Sequence, residues 1–283
     1  MSVDLSVDVF SPYRHPDVDT ERAVDLLCGL PPEVRPCFYN FHEPINKPLN
    51  CYELSSALAE IGASEHGFYW RGKTKSLWGS VHLAFGAIQQ HTCFSMFAGA
   101  GHAFGGSSGF VQFAEGFSVA FDAHFACVQL LVQGEVERGL PAGTVTLRDP
   151  RTMAYSFGIN TFKLQEYLPD LYWLTVFGAP YVELFGRERL LSTPAYKVEQ
   201  WRDDLICVQL TESLQDMVDA NDRFTAVREE SKAHLGKDAF FDAALGPSHA
   251  YRVPDFNLPP ADPPLTLDDL DEQWRTAFGK QDD

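Results

Sequence analysis

The stretch Tyr167-Leu-Pro-Asp-Leu-Tyr-Trp-Leu-Thr-Val-Phe-Gly-Ala-Pro-Tyr-Val-Glu-Leu-Phe-Gly-Arg-Glu-Arg189 sets the reading of the fold. Leu171 to Phe177 is aromatic and β-branched, the composition of a buried strand. Gly178-Ala179-Pro180 interrupts it, because proline has no N–H for a ladder and glycine tolerates a tight bend. Tyr181 to Phe185 is a second short apolar piece, and it stops at Gly186. Tyr172, Trp173, Phe177, Gly178, Pro180 and Gly186 are therefore read as structural. No nucleophile in the run has a base beside it.

Downstream, Lys197 to Trp201 leads through Arg202-Asp203-Asp204 into Leu205-Ile-Cys-Val-Gln-Leu210, the cleanest buried strand of the chain. Leu214 to Leu235 reads as one long amphipathic helix, with Leu214, Met217, Val218, Phe224, Val227 and Leu235 on its apolar side and Gly236 at its end. A proline-rich stretch from Gly246 favours extended structure. Thr266 to Phe278 reads as a last acidic helix that docks back through Trp274.

Upstream, Thr20 to Leu30 predicts a helix capped by Thr20, and Asn50 caps a second helix through Ile61. Cys37 to Phe41 predicts a strand, Gly67 to Trp70 a strand or turn, and Leu77 to Gln89 a helix weakened by Gly79 and Gly86. Ser76 to Gly134 carries only Glu115 and Asp122 as formal charges. Phe94, Met96 and Ala98 alternate with smaller residues, as do Phe117, Val119, Phe121, Ala123 and Phe125, a period that predicts strands covered on both faces. Gly99 to Gly109 reads as the loop between them, and Cys127 to Val136 as strand or helix. Val145 to Leu147 and Met153 to Phe157 read as strands. Helices and strands mix without a regular alternation. The fold class is therefore α+β: a mixed, mostly antiparallel sheet covered by helices, one domain over 1–245, and an acidic tail over 246–283.

Two further segments, Cys207-Val-Gln-Leu-Thr-Glu-Ser-Leu-Gln-Asp216 and Lys232-Ala-His-Leu-Gly-Lys-Asp-Ala-Phe-Phe-Asp242, join the opening run in a resemblance. Together the three resemble the motifs of the immunity protein 52 family of polymorphic toxin and type VI secretion systems. The second half of the chain carries the likeness well, the first half loosely. The resemblance implies a bacterial antitoxin without catalytic activity, whose partner is a cognate secreted toxin, a nuclease with a restriction-endonuclease-like fold.

Charge agrees with such a partner. Of 283 residues, 39 are acidic and 22 basic, a formal net charge of −17. A surface of that sign repels nucleic acid and anionic membrane and attracts a basic protein. Acidity also serves solubility, and composition alone does not separate the two roles. The candidate partner-binding acids are Asp203 and Asp204, with Asp268, Asp269, Asp271 and Glu272.

Six cysteines without a C-x-x-C spacing read as buried free thiols in a reducing compartment. The acidic start, Met1-Ser-Val-Asp-Leu-Ser-Val-Asp8, lacks the basic, apolar character of a signal peptide, and no run is long enough to span a membrane. The reading is a cytoplasmic protein.

His82, His91, His102 and His124 lack the short spacing of zinc ligands, and neither a metal nor another cofactor is implied. Gly101 to Gly109 lacks the lysine of a phosphate loop. An alternative class, a hydrolase, rests on His91 beside Cys93, two apart on one strand face, or on a pair of carboxylates.

Overall fold

The computed structural model describes residues 4–13, 18–64, 66–84, 91–99, 107–131, 144–148, 155–159, 163–242, 244–246 and 248–258. Its centre is β1, Asp4–Ser11, which pairs antiparallel with β6 (Thr92–Gly99) on one side and β7 (Phe125–Leu131) on the other. Beyond β6 come β5 (Leu77–His82), β4 (Gly67–Arg71), β2 (Phe38–Asn40) and the two-residue β3 (Lys47–Pro48). Beyond β7 come β10 (Leu174–Phe177), β12 (Leu205–Gln209) and the edge strand β11 (Lys197–Arg202). Every pairing in this 10-stranded sheet is antiparallel. Strands β8 (Thr144–Arg148) and β9 (Tyr155–Ile159) form a separate two-stranded sheet, with β9 against β1. The fold is α+β, as the sequence reads.

Side chains alternate across β1. Leu5, Val7 and Val9 face one side, and Ser6, Asp8 and Phe10 the other. The apolar side packs on α3, Ser107–Ala120, through Phe94, whose ring lies 4.7 Å from Phe117 and 4.6 Å from Phe121. Helices α1 (Thr20–Gly29) and α2 (Ser55–Gly62) complete this layer. The opposite side is covered beside β7 and β10 by Tyr172 and by Tyr181 of α4, Ala179–Phe185, both ringed around Phe125. Helix α5 (Arg187–Leu191) follows directly, and α7 (Asn221–Leu235) packs against it.

Four expectations need correcting. Phe117 to Phe125 is not one strand. Phe110, Phe113 and Phe117 repeat at helical spacing, so α3 runs to Ala120, and Phe121 and Asp122 turn the chain into β7. Leu77 to Gln89 begins as a strand because Gly79 is needed there. A Cβ at Gly79 would lie 2.1 Å from the Ser95 carbonyl oxygen and 2.4 Å from the Trp70 ring, so only glycine lets Trp70 cross the strand. The long helix from Leu214 breaks at Ala220 into α6 (Asp216–Asp219) and α7. Finally, Cys28 and Cys51 form a disulfide that ties α1 to the turn before α2; Cys37, Cys93, Cys127 and Cys207 are free.

Caps also differ. Asp19, rather than Thr20, accepts from the Arg22 N–H at 2.9 Å. Asn50 accepts from the Tyr52 N–H within the turn, and α2 starts after Leu54. The helix read over Thr266 to Phe278, most of the Gly99–Gly109 loop and the end of Cys127–Val136 lie outside the described residues.

Candidate functional site

The opening run forms a strand-to-helix corner. Trp173 donates from Nε1 to the Thr211 carbonyl at 3.1 Å and is 2% exposed. Tyr172 and Phe177 are buried against Phe125. Gly178 sits hard against the turn before β7. Its N–H donates to the His124 carbonyl at 3.0 Å, and a Cβ there would meet the Ala123 oxygen at 1.8 Å. Pro180 lies in the first turn of α4, where its missing N–H costs nothing. Gly186, with φ of 85°, makes the kink between α4 and α5. The sequence reads Tyr181 to Phe185 only as apolar; the corner makes it a helix.

Asp203 and Asp204 form the turn of the β11–β12 hairpin. Asp203 is exposed and accepts from Gln200 at 3.0 Å. Asp204 pairs with Arg202 at 3.3 Å. Arg202 in turn pairs with Asp122 and donates to the Val119 carbonyl, and Tyr13 donates to the other oxygen of Asp122. Burial works to raise the Asp122 carboxyl, and Tyr13, Arg202 and Arg22 outweigh it, leaving the group below its usual value. The hairpin turn is thus braced against the end of α3. Asp268, Asp269, Asp271 and Glu272 lie outside the described residues.

Elsewhere several bases are committed internally, while Arg22, Lys73, Lys75, Arg187, Arg189 and Arg223 stand exposed. Arg228 and Lys232 of α7 reach Asp170 at 3.5 and 3.1 Å. Lys232 also pairs with Glu229, which Lys237 meets at 3.3 Å. Arg252 pairs with Asp238 and donates to the Leu184 and Leu235 carbonyls. Arg35 donates to the Leu30 carbonyl and Arg71 to that of Ile45. Meanwhile Glu21, Asp25, Glu33, Glu53, Glu183, Asp203 and Asp222 stand exposed.

The hydrolase groups are placed differently from that chemistry's needs. His91 Nε2 lies 3.2 Å from His124 Nδ1, with both rings against Phe256. Burial lowers His124 to about 4, so it is neutral at physiological pH. Cys93 keeps some exposure, but burial and the nearby Asp8 push its thiol far above the normal range. A nucleophilic thiol needs the opposite shift. Its sulfur lies 3.2 Å from Ser95 Oγ, and Ser95 and Ser6 each donate to Asp8 at 2.6 Å. Burial raises Asp8 to about 6 against the lowering effect of both hydroxyls. Sequence reading misses this cluster, because Asp8 sits at a strand position where period two is the only signal. Among the described residues, no group of three or more His, Cys, Asp or Glu is placed to hold a metal ion. Nor is any described helix long and apolar enough to cross a membrane.

No protein-family profile matches the chain, and none supports the resemblance to the immunity protein 52 family. No curated protein matches either. Among solved structures the chain is similar to the Pseudomonas aeruginosa T6SS protein PA0821, at 13% identity and a TM-score of 0.46 over 86% of each chain.

Proposed function

We propose that this chain is an immunity protein that binds a cognate basic toxin and silences it by stoichiometric inhibition. The observation that carries the reading is the division of charge. The chain has a net charge of −17, and Arg202, Arg228, Lys232 and Arg252 are spent on internal carboxylates and carbonyls. Among the described residues exposed acids outnumber exposed bases such as Arg22, Lys73, Lys75 and Arg223, and the net outward field steers a basic partner and raises its association rate. The three motifs that resemble the immunity family support the same role, and a nuclease, whose substrate groove is basic, is the partner class they imply.

Inhibition needs no chemistry from this chain. It covers the toxin's substrate groove or holds the toxin in an inactive shape. The compartment is part of the proposal. Disulfides persist where cellular thiols do not reduce them, so a Cys28–Cys51 bridge intact in the cell marks an oxidising compartment, and a reduced pair marks the cytoplasm, where a nuclease meets its substrate.

Co-expression tests the function. Cells poisoned by the toxin encoded beside this chain should survive when the chain is present in the same compartment, and the chain alone should be harmless. Death despite soluble, folded chain, for every neighbouring toxin, rejects the proposal.

A further inference from the structure

The sheet face that carries Asp8 continues past β6 as a half-exposed aromatic surface. Backbone register aligns Phe38, Arg71, Trp78 and Phe97 in one row across β2, β4, β5 and β6. The next row on the same face holds Asn40, Tyr69, Ser80 and Ser95. Arg71 lies 3.6 Å over the Phe38 ring, and Trp78 stacks on Phe97 at 4.4 Å. Tyr69 meets His82 edge-on at 5.2 Å. Phe38, Tyr69, Trp78 and Phe97 all remain part-exposed, a larger aromatic area than an isolated surface residue explains. Lys73 and Lys75 stand exposed on the β4–β5 turn beside Arg71, so this is a basic-rimmed patch on an acidic protein. Glu43, near Tyr69, is the acid at its border.

The chain arrives at this face as the described structure closes. Phe256 packs 5.2 Å from His91, 5.4 Å from His124 and 5.7 Å from Tyr181. His91 immediately precedes β6, and Cys93 pairs with His82. Leu258 therefore leaves the body at the His82 end of the same sheet face. From His82 to Trp78 the strand covers about 13 Å. Residues 259–283 span about 37 Å even if wholly helical, which is ample. That segment is acidic, with only Arg275 and Lys280 as bases, and Leu267, Leu270, Trp274 and Phe278 fall at helical spacing.

We propose that the C-terminal segment 259–283 docks on the aromatic face of β2, β4, β5 and β6, with Trp274 and Phe278 on the rings and its acids toward Arg71, Lys73 and Lys75. Where it leaves the body, its reach, its apolar spacing and its charge all match that face. Any partner that uses this surface then competes with the chain's own tail.

Full-length protein with p-benzoylphenylalanine in place of Trp274 tests the docking by photo-crosslinking and peptide mapping. Crosslinks within one chain to peptides covering 67–82 or 92–99 are expected. Lys73→Glu with Lys75→Glu, both on exposed turn positions that leave the core intact, should lower their yield about two- to tenfold, the range for two surface charge contacts. Crosslinks to other parts of the body, crosslinks only between copies, no crosslinks, or a yield unmoved by the reversal would each overturn the proposal.

Discussion

Ser95 of β6 donates a 2.6 Å hydrogen bond to Asp8 of β1, and these two polar residues sit opposite each other at the centre of the sheet. The carboxyl is 3% exposed and held near 6, against an unperturbed value of 3.8. Between those values the folded chain holds a proton that the unfolded chain releases. Asp8 therefore costs no stability through this shift below about pH 4, and its cost grows as pH rises through about 6 and stays constant above. Two pKa units correspond to about 3 kcal/mol. Asp8→Asn should raise the melting temperature at pH 7.5 and change it little below pH 3.8. Equal effects at both pH values would show that the Asp8 charge is not what is disfavoured.

The Cys28–Cys51 bridge closes a loop with a sequence separation of 23. Cross-links over loops of that length stabilise by about 3 kcal/mol in the chain-entropy model. Reductant should lower the melting temperature by several degrees, and the double variant Cys28→Ser with Cys51→Ser should melt at the reduced value and ignore reductant. Protein isolated from its own cell should resist thiol alkylation at these two positions. Full alkylation there would return the chain to a reducing compartment.

The corner at Gly178 makes an unusual pair of variants equivalent. Trp173→Ala empties a buried site and removes one of the two side-chain donors to the Thr211 carbonyl, a loss of about 3–5 kcal/mol. Gly178→Ala adds one methyl, yet the only place for it lies 1.8 Å from the Ala123 oxygen. Both should give insoluble or low-melting protein by thermal unfolding. A Trp173→Ala variant of full stability that has lost only toxin binding would make Trp173 an interface residue instead.

If the β11–β12 turn faces the toxin, Asp203→Lys with Asp204→Lys should slow association at low salt while dissociation changes less. Reversal at Asp268, Asp269, Asp271 and Glu272 asks the same of the C-terminal segment. Stopped-flow association at two salt concentrations separates them, and the patch whose reversal leaves the rate unmoved is not the steering one.

Much of the architecture is legible in residue patterns, and its failures share a cause. The strands at Phe94–Ala98 and Leu205–Gln209 show because uninterrupted apolar or alternating runs have one solution. β1 is passed over although Leu5, Val7 and Val9 alternate, because Asp8 occupies a position that strand propensity disfavours. Phe117, Phe121 and Phe125 satisfy both a period of two and a period near four, and packing against Phe94 places Phe117 in α3 and Phe121 in the turn after it, while Phe125 opens β7. Gly79 weakens a helix on paper and in space makes room for Trp70. For the site, no pattern in the sequence marks which acids stay free once Arg202, Arg228 and Lys232 are spent on their partners. That depends on contacts between distant segments, as does the pairing of Cys28 with Cys51.

The central claim is inhibition by binding, and titration of purified chain into the active cognate toxin measures it most directly. Toxin activity should fall linearly to zero at one equivalent, the complex should survive size-exclusion chromatography, and toxin recovered from it under mild denaturation should regain full activity with unchanged mass. Loss of toxin activity at a small fraction of an equivalent, with covalently altered toxin, would contradict the account and make this chain an enzyme.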